Sequence, residues 1–162
     1  MATAQIETWS YEHPGWPELQ RLIEDLGQAD WVAFVADWHL ANHMLVAVQG
    51  ERVVGFLRYV VQALGVEEDL DAVELHGEQL REAKVLAFGV APAMRRQGIG
   101  RALQLQLIAG ALAQNLFQIR SHSSAGNIEN HRLKLSLGYA MHALHPASGR
   151  DGAYFLLPLR AS

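Results

Sequence analysis

Residues 85–103 read VLAFGVAPAMRRQGIGRAL, which places an apolar run, three arginines (Arg95, Arg96, Arg101) and two glycines (Gly98, Gly100) around one turn. Val85 to Val90 reads as a strand that Pro92 ends. From Gly98, the positions Ile99, Leu103, Leu107 and Ala111 recur in steps of four, which predicts a helix reaching Asn115. The alternation Leu103-Gln104-Leu105-Gln106-Leu107 also suits a strand, but length and good helix formers decide for helix. Arginines repel one another and glycines weaken a helix start, so the turn calls for a negative partner. The first N–H groups of a helix lack internal partners, and the helix dipole adds partial positive charge there. Glycines let an anion approach that backbone, and guanidinium forks match phosphate oxygens. The turn suits a pyrophosphate.

Bulk properties narrow the rest. The chain of 162 residues suits one domain, residues 1–162. Half of it is apolar, as in an ordinary globular protein. With 13 Lys+Arg against 17 Asp+Glu it has no global attraction to nucleic acid or to an anionic membrane. It has no cysteine, hence no disulfide, thiolate metal site or cysteine nucleophile, which fits a reducing cytosol. The opening MATAQIETWSYEHPGW lacks the basic and apolar regions of a signal peptide, and no apolar run approaches the ~18 residues of a spanning helix. A soluble, cytoplasmic protein is expected.

Outward from the turn, AQIETWS has strand character and the Pro14-Gly15 region breaks it. Leu19, Leu22, Ile23 and Leu26 predict a helix from Pro17 that Gly27 ends, and Asp30 would cap a second helix over WVAFVADWHLANH. Two strands around Gln49-Gly50-Glu51-Arg52 read as a hairpin. Residues 65–82 carry seven acids (Glu67, Glu68, Asp69, Asp71, Glu74, Glu78, Glu82) against Arg81, and read as a polar excursion between strands. After the long helix come a strand in LFQIRSH, a loop SSAGN, a short helix from Asn127 to Leu137 with Gly138 as its stop, and strands in YAMHAL and AYFLLPL. The order is β-α-α-β-β-β-α-β-α-β-β, one mixed α/β domain.

The turn fails two known phosphate loops. No Gly-Lys-Ser/Thr follows the glycines, and Leu103 stands where a dinucleotide fingerprint has its third glycine. It does fit Arg-x-x-Gly-x-Gly, as Arg95-Arg96-Gln97-Gly98-Ile99-Gly100, directly after a strand, with Asn127 followed eleven residues later by Gly138-Tyr139. In these features the sequence resembles the GCN5-related N-acetyltransferases, the GNAT superfamily. The likeness spans most of the chain, with its specific motifs in residues 85–139. It implies a mostly antiparallel mixed sheet of six to seven strands with about four helices, and acetyl-coenzyme A as co-substrate.

Carried over residue by residue, the resemblance implies that the pantetheine arm pairs with the main chain of Phe88, Gly89 and Val90, with Gly89 easing a bulge or a close approach. An N–H in this stretch, that of Val90 for instance, would hold the oxyanion. Pyrophosphate would lie on the amides of Arg96, Gln97, Gly98, Ile99, Gly100 and Arg101, with Arg95 adding charge. Asn127 would contact the coenzyme, or serve only as a helix cap. The family's usual Tyr acid, seven residues after that Asn, is replaced by Lys134. An ordinary lysine is a poor donor at neutral pH, although its charge could stabilise a thiolate, and a thiolate can leave unprotonated. Tyr139 is an alternative donor. For the base, His122 stands five residues before Asn127, where some members have a carboxylate. It competes with the plain reading of a surface histidine, and His76 and His131 are weaker candidates.

No metal site is evident. His39 and His43, four apart on the expected second helix, lack the Glu of His-Glu-x-x-His. Residues 27–43 and 65–82 would build the acceptor wall. The seven acids favour a cationic amine or form only a solvated loop, and Trp9, Trp31, Phe34 and Trp38 at helical spacing read as core before pocket. The expected activity is transfer of an acetyl group to a primary amine by direct attack. The alternative is a non-catalytic acyl-coenzyme A sensor of the same fold, which Lys134 keeps open; an unrelated nucleotide-binding domain is a third reading. Dimerisation through the C-terminal strands is common in the fold, and AYFLLPL is apolar enough for it.

Overall fold

Two strands, β2 (Ala41–Gln49) and β3 (Arg52–Ala63), form the expected hairpin, with Gly50 at φ 63 in its turn. Side chains alternate across a strand. Leu45, Ala47, Leu57, Tyr59 and Val61 therefore join one apolar cluster, and Met44, Val46 and Phe56 join another on the opposite face. The structure, a computed structural model, describes residues 3–160.

The sheet grows on both sides of this hairpin. On one side lies β1 (Gln5–Trp9); on the other, β6 (Arg81–Val90), then β7 (Gln118–Ser123), β9 (Ala153–Pro158) and β8 (Ala140–Ala143). All neighbours are antiparallel except β6 and β7. Helix α3 (Ile99–Ala113) fills one face through Ile99, Leu103, Leu107 and Ala111, and α1 (Trp16–Asp25) fills the other through Leu19 and Ile23. The shorter α2 (Ala29–Ala33) and α4 (Ile128–Ser136) complete four α-helices among the described residues. The expected order holds with one addition, a small hairpin of β4 (Glu74–Leu75) and β5 (Glu78–Gln79) inside the acidic excursion.

Four sequence expectations change. The second helix does not run to His43: only 29–33 are helical, and β2 begins at Ala41. Arg58, 3% exposed on β3, donates to the carbonyls of Trp31 and Phe34 and to Asn42 Oδ1, each at 2.7 Å. A buried guanidinium needs these acceptors, so the segment is held in the form that supplies them. His39 and His43 consequently share no helix face; His39 closes a turn onto Ala36 and His43 stacks on Tyr59. Trp31, Phe34 and Trp38 are 41–49% exposed rather than core, whereas Trp9 is buried. The strand expected at Val85 starts at Arg81.

Nor is the acidic excursion simply solvated. Glu82 is fully buried and accepts from Gln62 Nε2 and Gln118 Nε2 at 2.8 Å and from Arg120 Nε at 3.2 Å. Glu67 pairs with Lys84, Glu68 with Arg120 and Glu78 with Arg160. β9 lies inside the sheet with Phe155 fully buried, so the outer edge belongs to β8 and not to AYFLLPL.

Glu82 pairs in register with Gln118 where β6 meets β7, and its removal leaves the Arg120 guanidinium without its buried carboxylate. Glu82→Ala is expected to cost about 3 kcal/mol in a urea unfolding titration.

Candidate active site

β6 is paired with β3 along its whole length, but with β7 only from Glu82↔Gln118 to Val85↔Ser121. At that point β6 bulges: Tyr59 faces Val85 and Arg58 faces Ala87, leaving Leu86 as an extra residue. A bulge bends its strand and increases its twist. The bend falls at Leu86, not at Gly89, and beyond it β6 follows β3 while β7 follows β9 as far as Ser123↔Ala153. The strands part and leave an open edge.

Which groups line that edge follows from the ladder. Ala91 N–H donates to Val54 O, so alternation turns Gly89 towards β3 and Phe88 and Val90 outwards. Two side chains reach this edge: Gln28 exchanges two hydrogen bonds with the Phe88 main chain, and Arg95 Nε donates to Val90 O at 3.2 Å. Of the two roles expected for Gly89, the close approach is the one seen. A Cβ there would lie 2.6 Å from Leu26 Cδ1, so glycine lets the end of α1 close on the strand.

The edge leads to the start of α3. Arg96 at φ 64 and Gly98 at φ 81 turn the chain through left-handed conformations, and no side chain caps the helix. First-turn amides of this kind attract anions. Arg96 makes an exposed pair with Glu129 at 3.1 Å, which contributes little to stability. Arg101 donates to Ser136 Oγ at 3.4 Å. The opening and this turn share a cavity of about 750 Å³. It brings together every residue expected to hold the coenzyme except Gln97, which lines a smaller neighbouring cavity with Thr3 and Gln49. Asn127 caps α4, its Oδ1 accepting from Asn130 N at 3.4 Å, and it also lines the cavity.

The proton-transfer candidates lie elsewhere. Lys134 is 1% exposed, donates to Ser121 Oγ at 2.5 Å and sits 5.3 Å from the Phe155 ring centre. With no carboxylate beside it, burial lowers its pKa from 10.5 to about 7. Its neighbour Leu133 lines the cavity; Lys134 does not. His122 points to the other face of β7, with Nε2 2.8 Å from Asp151 O and its ring edge-on to Tyr154. The fold therefore keeps the two apart. Tyr139 is buried in the core, where its hydroxyl donates to Gln104 Oε1 and burial raises its pKa well above the usual value. It does not line the cavity. His131 rests on Ser124 O, and His76 lies at φ 52 in the β4–β5 turn.

The sequence singled out neither Leu26, Met94, Ser124, Gly126 and Glu129 nor Asn130 and Leu133 in the cavity wall, and offered Gln28 only within the acceptor-wall range 27–43. Asn130 and Leu133 could have been inferred, because they follow Asn127 at helical spacing. Nothing local marks Gln28, which lies sixty residues from Phe88.

The sequence pattern of the Acetyltransferase (GNAT) family matches residues 3–139. The chain belongs to the GNAT family. The fold of this GNAT chain is similar to that of Arabidopsis thaliana NAA60 in complex with acetyl-CoA, with a TM-score of 0.67 at 16% identity, over 95% of this chain and 99% of that one. It is similar to the ribosomal-protein-S18-alanine N-acetyltransferase from Escherichia coli, with 0.60 at 19% over 99% and 96%. A third likeness is to the PaiA N-acetyltransferase from Thermoplasma acidophilum in complex with coenzyme A, with 0.67 at 11% over 96% and 99%. No curated protein matches the GNAT chain by sequence. No helix among its described residues is long and apolar enough to cross a membrane.

Lys134 ties stability to pH. Unfolded, it titrates at its ordinary 10.5, and folded at about 7, so between these values the unfolded state holds the extra proton. Its contribution is therefore least unfavourable above pH 10.5, worsens as the pH falls towards 7 and levels off below that. Lys134→Met is expected to remove this slope and to raise stability at neutral pH by on the order of 3 kcal/mol, read from urea midpoints across the range.

Proposed function

We propose that this protein transfers an acetyl group from acetyl-coenzyme A to a primary amine, on a small molecule or at a protein lysine or N-terminus, by direct attack of the amine. One observation carries this reading: an open strand edge and an uncapped helix start share one cavity, so a long ligand with amides at one end and a pyrophosphate at the other meets matching groups. The coenzyme supplies an activated thioester. The chain's residues supply the rest.

Amides of Gly98, Ile99, Gly100 and Arg101, with the exposed guanidinium of Arg96, would hold the pyrophosphate. Gly100 keeps the first turn of α3 close to β6, since a Cβ there would touch Phe88 Cζ at 3.3 Å and Val90 Cγ2 at 3.7 Å. The outward main chain of Val90 would pair with the pantetheine, and its N–H would stabilise negative charge on the thioester oxygen. Lys134, with a pKa of about 7, fits a group that both gives and takes a proton at neutral pH. His122 would serve only an amine approaching from the Tyr154 side of β7. Glu67, Glu68, Glu78 and Glu82 are matched by cations of their own chain. The case for a cationic acceptor then rests on Asp69, Asp71 and Glu74 alone.

A second reading, an acyl-coenzyme A sensor without turnover, gains from the position of these groups, because neither Lys134 nor His122 lines the cavity. Release of free thiol with any member of an amine panel decides against the sensor, and tight coenzyme binding without release decides for it.

Calorimetric titration with acetyl-coenzyme A tests the site itself. One-to-one binding is expected, weakened at least about tenfold by Arg96→Glu, which reverses a charge at the turn, and by Gly98→Asp, which adds a charge where φ is 81. A folded protein that binds no coenzyme at millimolar concentration overturns both readings. If Lys134 carries the proton, the rate against pH shows a transition near pH 7 that Lys134→Met abolishes.

A further inference from the structure

An apolar segment packed on a sheet ordinarily turns its side chains inward and leaves its spare carbonyls to water. Above Arg58 the order is inverted. The buried guanidinium takes the carbonyls of Trp31 and Phe34, while the rings of Trp31, Phe34 and Trp38 stay outside with Val35 and Leu40. The rings make one panel. Trp31 meets Phe34 edge-on at 6.1 Å, Phe34 meets His39 at 5.7 Å, and His39 meets Trp38 at 6.2 Å. A buried charge thus holds three large rings open to solvent, and contiguous exposed apolar surface of this kind marks a binding site.

The panel borders the coenzyme cavity. Val32 N–H donates to Gln28 O, so Trp31 lies within one helical turn of Gln28, which lines that cavity and pairs with Phe88. Arg58 stands in register with Ala87, beside the bulge at Leu86 where β6 leaves β7. At the other end, Leu40 N–H donates to Val61 O, and Val61 faces Ala83. Residues 28–40 therefore run along β6 from the level of Phe88 to that of Ala83. Burial first, and then the charges of Arg58 and Lys84, lower the pKa of His39, so the panel carries no cation at neutral pH.

Its surroundings choose the occupant. The only charged side chains between Ala29 and Ala41 are Asp30 and Asp37. Both are exposed and neither is ion-paired among the described residues, so they add two carboxylates to the three unmatched acids of the excursion. A cation is favoured there. A peptide main chain, by contrast, finds few partners. The carbonyls of Trp31 and Phe34 are taken by Arg58, those of Gln28 and Ala36 by Val32 and His39 N–H, and Ala36 N–H donates to His39 Nδ1. Peptides dock on main chains that still have such bonds to give.

We propose that the acceptor is a small primary amine bearing an aromatic or similarly bulky apolar group, seated on Trp31, Phe34 and Trp38. The inference rests on the acetyl-transfer reading above and names the acceptor class of the same site.

Calorimetry on the protein saturated with coenzyme A tests this without turnover, using phenylethylamine, diaminobutane and a short peptide with phenylalanine at its N-terminus. Phenylethylamine is expected to bind at least about tenfold more tightly than either of the others. Trp31→Ala and Trp38→Ala each remove an exposed ring and are expected to weaken phenylethylamine at least about fivefold, while coenzyme A keeps its affinity within about twofold. Trp31→Phe keeps a ring and should stay within about threefold of wild type. Tyr11→Ala removes an exposed ring outside the panel and should change phenylethylamine binding by less than about twofold. The proposal is overturned by equal or tighter binding of diaminobutane or of the peptide, by a phenylethylamine affinity that both alanine variants leave unchanged, or by no amine binding beside intact coenzyme binding. Failure to bind coenzyme A is a different result, and takes down the acetyl-transfer reading on which this one stands.

Discussion

A main-chain N–H or C=O withdrawn from a ladder still needs a partner, and in this protein that requirement concentrates at Phe88 and Val90. The bulge at Leu86 turns β6 away from β7 immediately after the pair Val85↔Ser121. Two residues of a central strand are thereby left with outward polar groups inside a cavity. The surroundings answer them from opposite sides: Gln28 from the α1–α2 turn and Arg95 from the turn before α3. Both glycines beside this edge keep the surroundings close, Gly89 beneath Leu26 and Gly100, in the first turn of α3, against Phe88 and Val90. A ligand able to exchange amide hydrogen bonds therefore enters a place where the chain already makes them.

The buried ion cluster on the same sheet holds the other half of the arrangement. Glu82, Gln62, Gln118 and Arg120 tie β3, β6 and β7 together below the point of parting. Glu67 and Glu68, from the 3-10 turn after β3, close on Lys84 and Arg120. Burial alone would raise the pKa of Glu67, but the Lys84 ammonium beside it holds it below the usual carboxylate value. The strands can diverge sharply because they are clamped where they still meet.

The helical repeat from Ile99, the stop at Gly138 and the β2–β3 hairpin are local signals, and all were readable because each depends on neighbours a few residues away. The left-handed turn that leads into α3 was readable for the same reason: Arg95 to Arg101 are contiguous. The extent of α2 was not. Apolar residues at helical spacing promised a helix to His43, but Arg58 claims two carbonyls of that segment, and such a demand lies outside any local window. The same holds for Glu82, which reads as one acid in an acidic run until Gln118 and Arg120 are beside it. Gln28 is the extreme case, since its meaning depends on a bulge in a strand sixty residues away.

The strand order carries a consequence for how the chain assembles. β8 precedes β9 in sequence yet lies outside it, so β8 has no ladder until β9 is there to pair with it. The hairpin of β2 and β3 closes through a tight turn, and β6 joins it after the excursion of residues 64–80, whereas β7 needs a helical crossover and then a partner from still further along. Contacts of greater sequence separation form more slowly. During synthesis, a chain extended only to Gly152 already contains α3, α4 and β7, but the far edge of β7 is bare. An unpaired edge of this kind recruits other strands, so the interval before Ala153–Pro158 emerges is when this protein is most exposed to mispairing with a second nascent copy.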